Sequence, residues 1–531
     1  MKRIIIYDTT LRDGTQGEGV SLSVQDKINI SKKLDQMGVD FIEGGWPGSN
    51  PKDMDYFKEI QNEVFSHAKI VAFGSTRRAG IEASEDVNLN KFIESGVDYV
   101  TIFGKSWDFQ VQEALRVSLE ENLEMIRSSI QYLKENGKKV FYDAEHFFDG
   151  YKHNPQYALQ TIRTAAEAGC ETVILCDTNG GTLPHEVMEM TKAACEAVDV
   201  PVGVHCHNDA ELAVANSLMA VEAGATHVQG TINGLGERCG NANLTSIIPS
   251  LSIKMGYDCL RNSGLESLTE TAIFVHETAN LALPNNQPYV GSSAFAHKAG
   301  IHVNAVLKNA STYEHINPEL VGNVRRVLIS ELSGASNIQY MVNKLNVAFP
   351  EDKESQQKFI SKIKQLEYEG YQFEGAEGSF ELLLKEELGE FDPGFSLESF
   401  NVNASKRGDR QVYSEASIKI KVGEEMYHTA ADGYGPVDAL DHALRKALET
   451  FYPSLRNMHL VDYKVRVIDG KDGTSAKVRV LIESSDRKET WTTIGVSNDV
   501  IEASWIALTD SLSYKLMKDA RRNGKSIKGN K

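Results

Sequence analysis

The stretch EAGCETVILCDTNGG, residues 167–181, decides the fold. A helix-like run ends at Gly169, an aliphatic and β-branched run follows, and an Asp-Thr-Asn-Gly-Gly turn closes it. The glycine suits a helix C′ position, which needs a left-handed backbone. The run after it suits a strand buried on both faces. The same unit recurs as QMGVDFIEGG (36–45), ESGVDYVTIFG (94–104), ENGKKVFYDAEH (135–146) and EAGATHVQGTIN (222–233). With RIIIYDTT (3–10), AKIVAFGS (68–75) and VPVGVHCHN (200–208), eight strands separated by helices are expected. Strands alternating with helices imply right-handed crossovers and a parallel sheet. Eight such units in roughly 250 residues are what a (β/α)8 TIM barrel requires. An open doubly wound sheet is the alternative. No Gly-x-Gly-x-x-Gly follows the first strand, which weakens its dinucleotide-binding version.

A barrel of this kind keeps its chemistry at the C-terminal ends of the strands. Those ends carry TTLRDGTQ (9–16), FIEGGWPGSN (41–50), YDAEHF (142–147), CDTNGGTLP (176–184), HCHND (205–209) and INGLGERCGNAN (232–243). Polar and ionisable residues therefore gather at one mouth. His205 and His207 are two apart on a strand and face the same way. They are read either as a metal-binding pair or as two histidines with separate structural roles. Asp13 and Asn241 are the best-placed oxygen ligands. Two imidazoles, a carboxylate and an amide carbonyl form a mixed site for a divalent metal ion, Mg²⁺, Mn²⁺ or Zn²⁺.

The bulk properties narrow the classes of function. A chain of 531 residues exceeds one core. A net charge of −18 argues against a nucleic-acid or anionic-membrane surface. Only the tail RRNGKSIKGNK (521–531) is basic, and it reads as a solvated terminus. Six cysteines without a Cys-x-x-Cys pair give neither a disulfide framework nor a thiolate zinc site. The N-terminus is too short in apolar residues for a signal or a membrane span, so a cytoplasmic protein is expected.

The motifs DTTLRDG, HCHND and NGLGERCGNA together resemble the metal-dependent barrel family of 2-isopropylmalate, homocitrate and citramalate synthases. DTTLRDGTQGEGVSLS and FIEGGWPGSNPKD look closest to the citramalate branch. The resemblance implies condensation of acetyl-CoA with a 2-oxo acid, pyruvate in that branch, followed by thioester hydrolysis. A 2-oxo acid would chelate the metal. Arg12 would stabilise the developing oxyanion, with Glu43 holding it by the resemblance. Thr178 would bind the substrate carboxylate, or else serve only as a turn hydroxyl. Trp46, Phe103 or Tyr142 would narrow the mouth around a methyl group. Glu145 is catalytic by the resemblance, and so are His302 as base and Tyr313 as its companion, in SSAFAHKAGIHVNAVLKNASTYEHI (292–316). His297 and Asn304 receive no role.

The expected divisions are a catalytic barrel (1–265), a subdomain contributing to the active site (266–330), a helical linker (331–392), a regulatory and dimerising domain (393–518) and a flexible tail (519–531). The α+β domain from 393 has an internal repeat. In it GPVDALDHALRKAL aligns with DVIEASWIALTDSL, pairing Ala439 with Ala503, Ala443 with Ala507, Leu444 with Leu508 and Leu448 with Leu512. The resemblance makes it an amino-acid-binding feedback domain with isoleucine as effector, in a homodimer. Two alternatives remain. One is another 2-oxo acid, as in 2-isopropylmalate or homocitrate synthase. The other is a 3-hydroxy-3-methylglutaryl-CoA-lyase-like enzyme, for which Cys239 in the glycine-rich loop is the foothold.

Overall fold

The computed structural model describes residues 2–328, 335–345, 350, 352–406, 408–409, 411–468 and 475–522. The basic tail beyond Arg522 lies outside them. The strands β1 (Ile5–Asp8), β2 (Phe41–Gly45), β3 (Lys69–Ser75), β4 (Tyr99–Lys105), β5 (Lys139–Glu145), β6 (Thr172–Asp177), β7 (Val202–Cys206) and β8 (His227–Gly230) form a closed barrel. Each is parallel to its neighbour, and β8 closes on β1 through Ile5↔His227 and Tyr7↔Gln229. All eight expected strands are present.

Alternation along the strands divides the apolar residues between two layers. Tyr7, Val71, Phe141, Ile174 and Cys176 pack inside the barrel with Phe41 and Tyr99. His227 joins them, its ring 6.2 Å from Phe41 and stacked at 9°. Burial drives its pKa down to about 3, so it is a neutral core residue. Residues of opposite parity, such as Ile42, Val100, Tyr142 and Val204, face the helical layer.

Local signals in the chain fix the helix ends. Ser23 and Asp26 form a reciprocal capping box before the helix Val24–Met37. That helix ends at Gly38, φ +93°, where a Cβ would lie 2.3 Å from the Arg261 carbonyl oxygen. Gly169 ends the helix Pro155–Ala168 in the same left-handed conformation.

Residues 1–295 and 316–325 form one compact unit. Residues 296–315 and 326–531 form the second. In the second unit, β9 (Ala296–His297) pairs with β10 (Arg326–Val327). Helices Ala335–Leu345, Lys353–Tyr368 and Glu377–Glu387 follow. Two antiparallel sheets come next, each with a helix after it. One comprises β11 (Ser396–Ser405), β12 (Tyr413–Val422) and β13 (Glu425–Gly433), then helix Pro436–Leu448. The other comprises β14 (His459–Val467), β15 (Val478–Ser485) and β16 (Thr490–Ser497), then helix Val500–Arg522. Each half thus has three strands before its helix. The residues aligned between the two helices are all buried, from Ala439 and Ala503 to Leu448 and Leu512.

The expected linker 331–392 does not stand apart from this domain. Phe380 and Leu384 share a core with Ile494 of β16. Ser379 accepts a hydrogen bond from the Ile494 amide and donates to Asp510. A helix whose apolar side faces a sheet is part of that sheet's core, whatever its charges facing solvent.

One buried ion pair ties the barrel's second strand to its helices. Lys27, 2% exposed, donates to Asp53 Oδ1 at 2.6 Å and to the Gly44 carbonyl at 2.9 Å. The other Asp53 oxygen accepts the Trp46 amide at 2.9 Å. Removing one partner of a buried pair leaves an uncompensated charge, which costs about 3–5 kcal/mol. Lys27→Met should lower unfolding stability by that amount in urea denaturation. Adding Asp53→Asn should recover part of the loss, because the neutral amide keeps an acceptor for Trp46.

Candidate active site

The mouth of the barrel holds a cavity of about 220 Å³. Asp13, His205 and His207 meet there, with one ligand atom from each lying within 4.8 Å of the others. His205, next to last in β7, lies on its inward face, and its Nε2 is 3.2 Å from Asp13 Oδ2. His207 follows one turn of the pleat later, its ring centroid 5.2 Å from that of His205. A backbone bridge pairs His207 with Asn241, and the Ala242 amide donates to the Cys206 carbonyl at 2.8 Å. This bridge brings the glycine-rich loop after β8 alongside the β7 end. Asn241 spends its amide nitrogen on the Leu235 carbonyl at 3.1 Å.

The donor set fits a divalent cation. His207 Nδ1 and Asn241 Oδ1 are buried without a hydrogen-bond partner among the described residues. Orphaned polar atoms of this kind are costly unless an unseen group satisfies them. Burial pushes His207 down to about 4, with His205 adding to the effect, so its ring is neutral and able to ligate. Burial opposes ionisation of Asp13, but Arg12 and His205 outweigh it and hold the carboxylate well below its usual range. Two neutral-capable imidazoles, an anionic carboxylate and a free amide oxygen suit Mg²⁺, Mn²⁺ or Zn²⁺.

Arg12 is fixed on three sides. Its Nε donates to Glu43 Oε1 at 2.6 Å, and its Nη1 lies 3.2 Å from Asp13 Oδ2. Its guanidinium carbon sits 3.6 Å from the Phe73 ring centroid. Glu43 is fully buried and accepts from Tyr7 at 2.6 Å, while Tyr7 also pairs with Thr101 at 2.7 Å. Arg12 therefore stays charged although buried, its carboxylate partners offsetting the desolvation.

Trp46 and Phe103 line the cavity with Phe73. The Trp46 indole donates to Asn88 at 2.6 Å and meets both phenyl rings edge-on. Tyr142 corrects the expectation placed on it. It is fully buried in the outer layer, against Gly104 and the helix Leu119–Glu135, because its strand parity points it away from the barrel. Asp143 takes the inward place beside it. Phe73 and Asp143 were both legible from alternation, since Val71 and Phe141 face inward two residues earlier.

Glu145 lines the cavity, and Lys105, its register partner on β4, places Nζ 2.5 Å from Glu145 Oε2. Thr178 Oγ accepts the His146 amide at 2.9 Å. Arg238 bridges the loops after β6 and β7 by donating to the Thr178 carbonyl and to both oxygens of Asp209. Cys239 is an exposed free thiol in the same loop. In the second unit, His302 and Tyr313 stack with centroids 4.2 Å apart. His297 is buried and pairs with Glu314 at 3.1 Å. The structure thus gathers Arg12, Asp13, Glu43, Trp46, Phe103, Glu145, Thr178, His205, His207 and Asn241 at the barrel mouth. His302 and Tyr313 are gathered with each other.

Comparison with known proteins gives three consecutive family matches. Residues 3–275 match the HMGL-like model, 289–370 the homocitrate synthase post-HMGL domain-like model, and 374–516 the LeuA allosteric (dimerisation) domain. The chain is 55% identical to the (R)-citramalate synthase of Aquifex aeolicus (strain VF5), covering 98% of each chain. It is 54% identical to the (R)-citramalate synthase of Geobacter sulfurreducens, covering 99% of each. A 2-isopropylmalate synthase of Methanocaldococcus jannaschii is 33% identical, over 97% of this chain and 95% of its own. Among the described residues no helix is long and apolar enough to cross a membrane.

His207→Ala removes one of the candidate donors outright, whereas loss of an outer partner alone costs metal sites about 10- to 100-fold in affinity. Its Mn²⁺ affinity, read from free-ion EPR on chelator-stripped protein, should fall by more than that range. The circular dichroism spectrum should stay that of the parent.

Proposed function

The chain belongs to the HMGL-like family and, within it, to the citramalate synthases. From that premise we propose that its barrel mouth condenses acetyl-CoA with pyruvate and hydrolyses the thioester to (R)-citramalate and CoA. The enzyme is an acyltransferase that turns the acetyl group into an alkyl chain on transfer. The observation that carries the reading is identity of 45–55% to (R)-citramalate synthases over nearly the whole chain. Six free cysteines support a reducing cytoplasm.

Asp13, His205, His207 and Asn241 would hold a divalent cation, which would supply Lewis-acid polarisation of the 2-oxo carbonyl. The chain's own residues do the rest. Arg12 presents its remaining N–H donors to the oxygen that becomes an alkoxide as the carbon–carbon bond forms. Glu43, Asp13 and Phe73 hold the guanidinium in one orientation, so no reorganisation is needed at that moment. The Thr178 hydroxyl already accepts from His146 and so directs its own proton to the substrate carboxylate. An acetyl-CoA methyl is a weak carbon acid, and its proton needs a base within reach. Glu145 and the stacked pair His302 and Tyr313 are the groups assigned to that proton.

Trp46, Phe73 and Phe103 crowd one wall of the cavity, which favours a methyl over larger substituents. One methylene in an apolar pocket is worth only about 1–3 kcal/mol. CoA release measured with a panel of 2-oxo acids should therefore rank pyruvate first, with 2-oxobutyrate roughly 10- to 200-fold lower in kcat/KM. A higher kcat/KM for 2-oxoisovalerate or 2-oxoglutarate would move the enzyme to another branch of the family.

The LeuA-like segment supports feedback control by isoleucine in a homodimer. An effector acts by binding a less active state more tightly, and a coupling of about 1–3 kcal/mol shifts affinity roughly 5- to 150-fold. Isoleucine at millimolar concentration should inhibit the full-length enzyme, with leucine and valine weaker, in the same CoA-release assay. If all three leave the rate unchanged, the segment is structural here.

A further inference from the structure

Beside the cavity, two buried side chains that the proposed reaction does not use, Asp143 and Gln229, lead to His205. Gln229 lies on β8 and is fully buried. Its amide nitrogen donates to Asp143 Oδ1 at 3.2 Å. Its amide oxygen lies 2.9 Å from His205 Nδ1. Asp143 is 4% exposed and lines the cavity from β5. These contacts leave little freedom. A carboxyl oxygen takes the amide N–H, so the amide must turn its carbonyl toward His205. A carbonyl oxygen only accepts, so Nδ1 must carry the ring proton. The other nitrogen, Nε2, is then the lone-pair donor, and it is the one that faces Asp13 Oδ2.

We infer that Asp143 and Gln229 are positioning residues that set the tautomer and ring angle of His205, so that Nε2 is presented to a divalent cation. The inference rests on the metal site described above and on no choice of 2-oxo acid. It makes that site the meeting point of two buried arms. Tyr7, Glu43 and Arg12 orient Asp13 from one side. Asp143 and Gln229 orient His205 from the other. Outer partners of metal-bound imidazoles raise ligand basicity and fix the ring, and their loss typically costs 10- to 100-fold in metal affinity.

The test is Mn²⁺ binding by full-length, chelator-stripped protein, read as free Mn²⁺ by EPR, with thermal unfolding followed in parallel. Gln229→Leu keeps the volume but removes both contacts, and its Mn²⁺ Kd should rise roughly 10- to 100-fold. Gln229→Glu keeps an acceptor for the Nδ1 proton and should recover most of that loss, which a residue serving only packing would not predict. Asp143→Asn should also weaken binding, because an amide at 143 no longer dictates which end of Gln229 faces His205. Parent-like affinity in Gln229→Leu overturns the inference, and so does a loss that Gln229→Glu fails to rescue. Parent-like affinity in Asp143→Asn removes Asp143 from the chain. Parent-like affinity in His207→Ala would instead overturn the metal site itself, so the two failures are distinguishable.

Discussion

A closed parallel barrel gives each inward side chain only two destinations, the packed interior or the mouth, and everything else in the catalytic unit follows from that constraint. Alternate residues along a strand must face the same way. Tyr7 of β1, Val71 of β3 and Phe141 of β5 fill the interior. The next inward positions, Phe73 and Asp143, therefore emerge at the mouth. Tyr142 is one residue out of phase and serves the outer layer instead. The same rule brings His205 to the mouth from β7.

Once ionisable groups are committed to a dry mouth, their charges must be answered locally. Arg12 is answered by Glu43 and Asp13, and Glu43 in turn by Tyr7. Burial raises Asp143 to about 7 against the pull of His205 and Arg12, so a cation in the cluster would favour its ionised form. The mouth is a set of mutually compensating charges with a shortfall at the orphaned atoms of His207 and Asn241. That shortfall is the physical argument for a metal, independent of any relative.

The second unit is organised on different terms. Its two three-stranded sheets are antiparallel and half-exposed, with helices covering one face of each. Glu377–Glu387 joins that core because Phe380 and Leu384 lie on one side of the helix. The sequence reading places the segment in a helical linker over 331–392. Composition reports how much of a helix is polar, but only packing shows that a narrow apolar stripe is enough to commit it to a sheet.

The sequence by itself determined the barrel, since glycine-terminated helices alternating with eight aliphatic strands admit few other arrangements. It also determined which end of each strand carries chemistry, and with the family motifs it placed Arg12, Asp13, His205 and His207 at one mouth. These are local facts, set by periodicity and spacing. What only the tertiary structure decided is which side chains meet across strands. Phe73 under Arg12, Lys105 beside Glu145, and Asp143 reaching His205 through Gln229 join residues 61, 40 and 62 positions apart. Their pairing depends on barrel closure and strand register, which no local pattern encodes. The alternation rule could assign each residue a face, but a choice of hydrogen-bond partner needs distances, and distances exist only once the chain has closed.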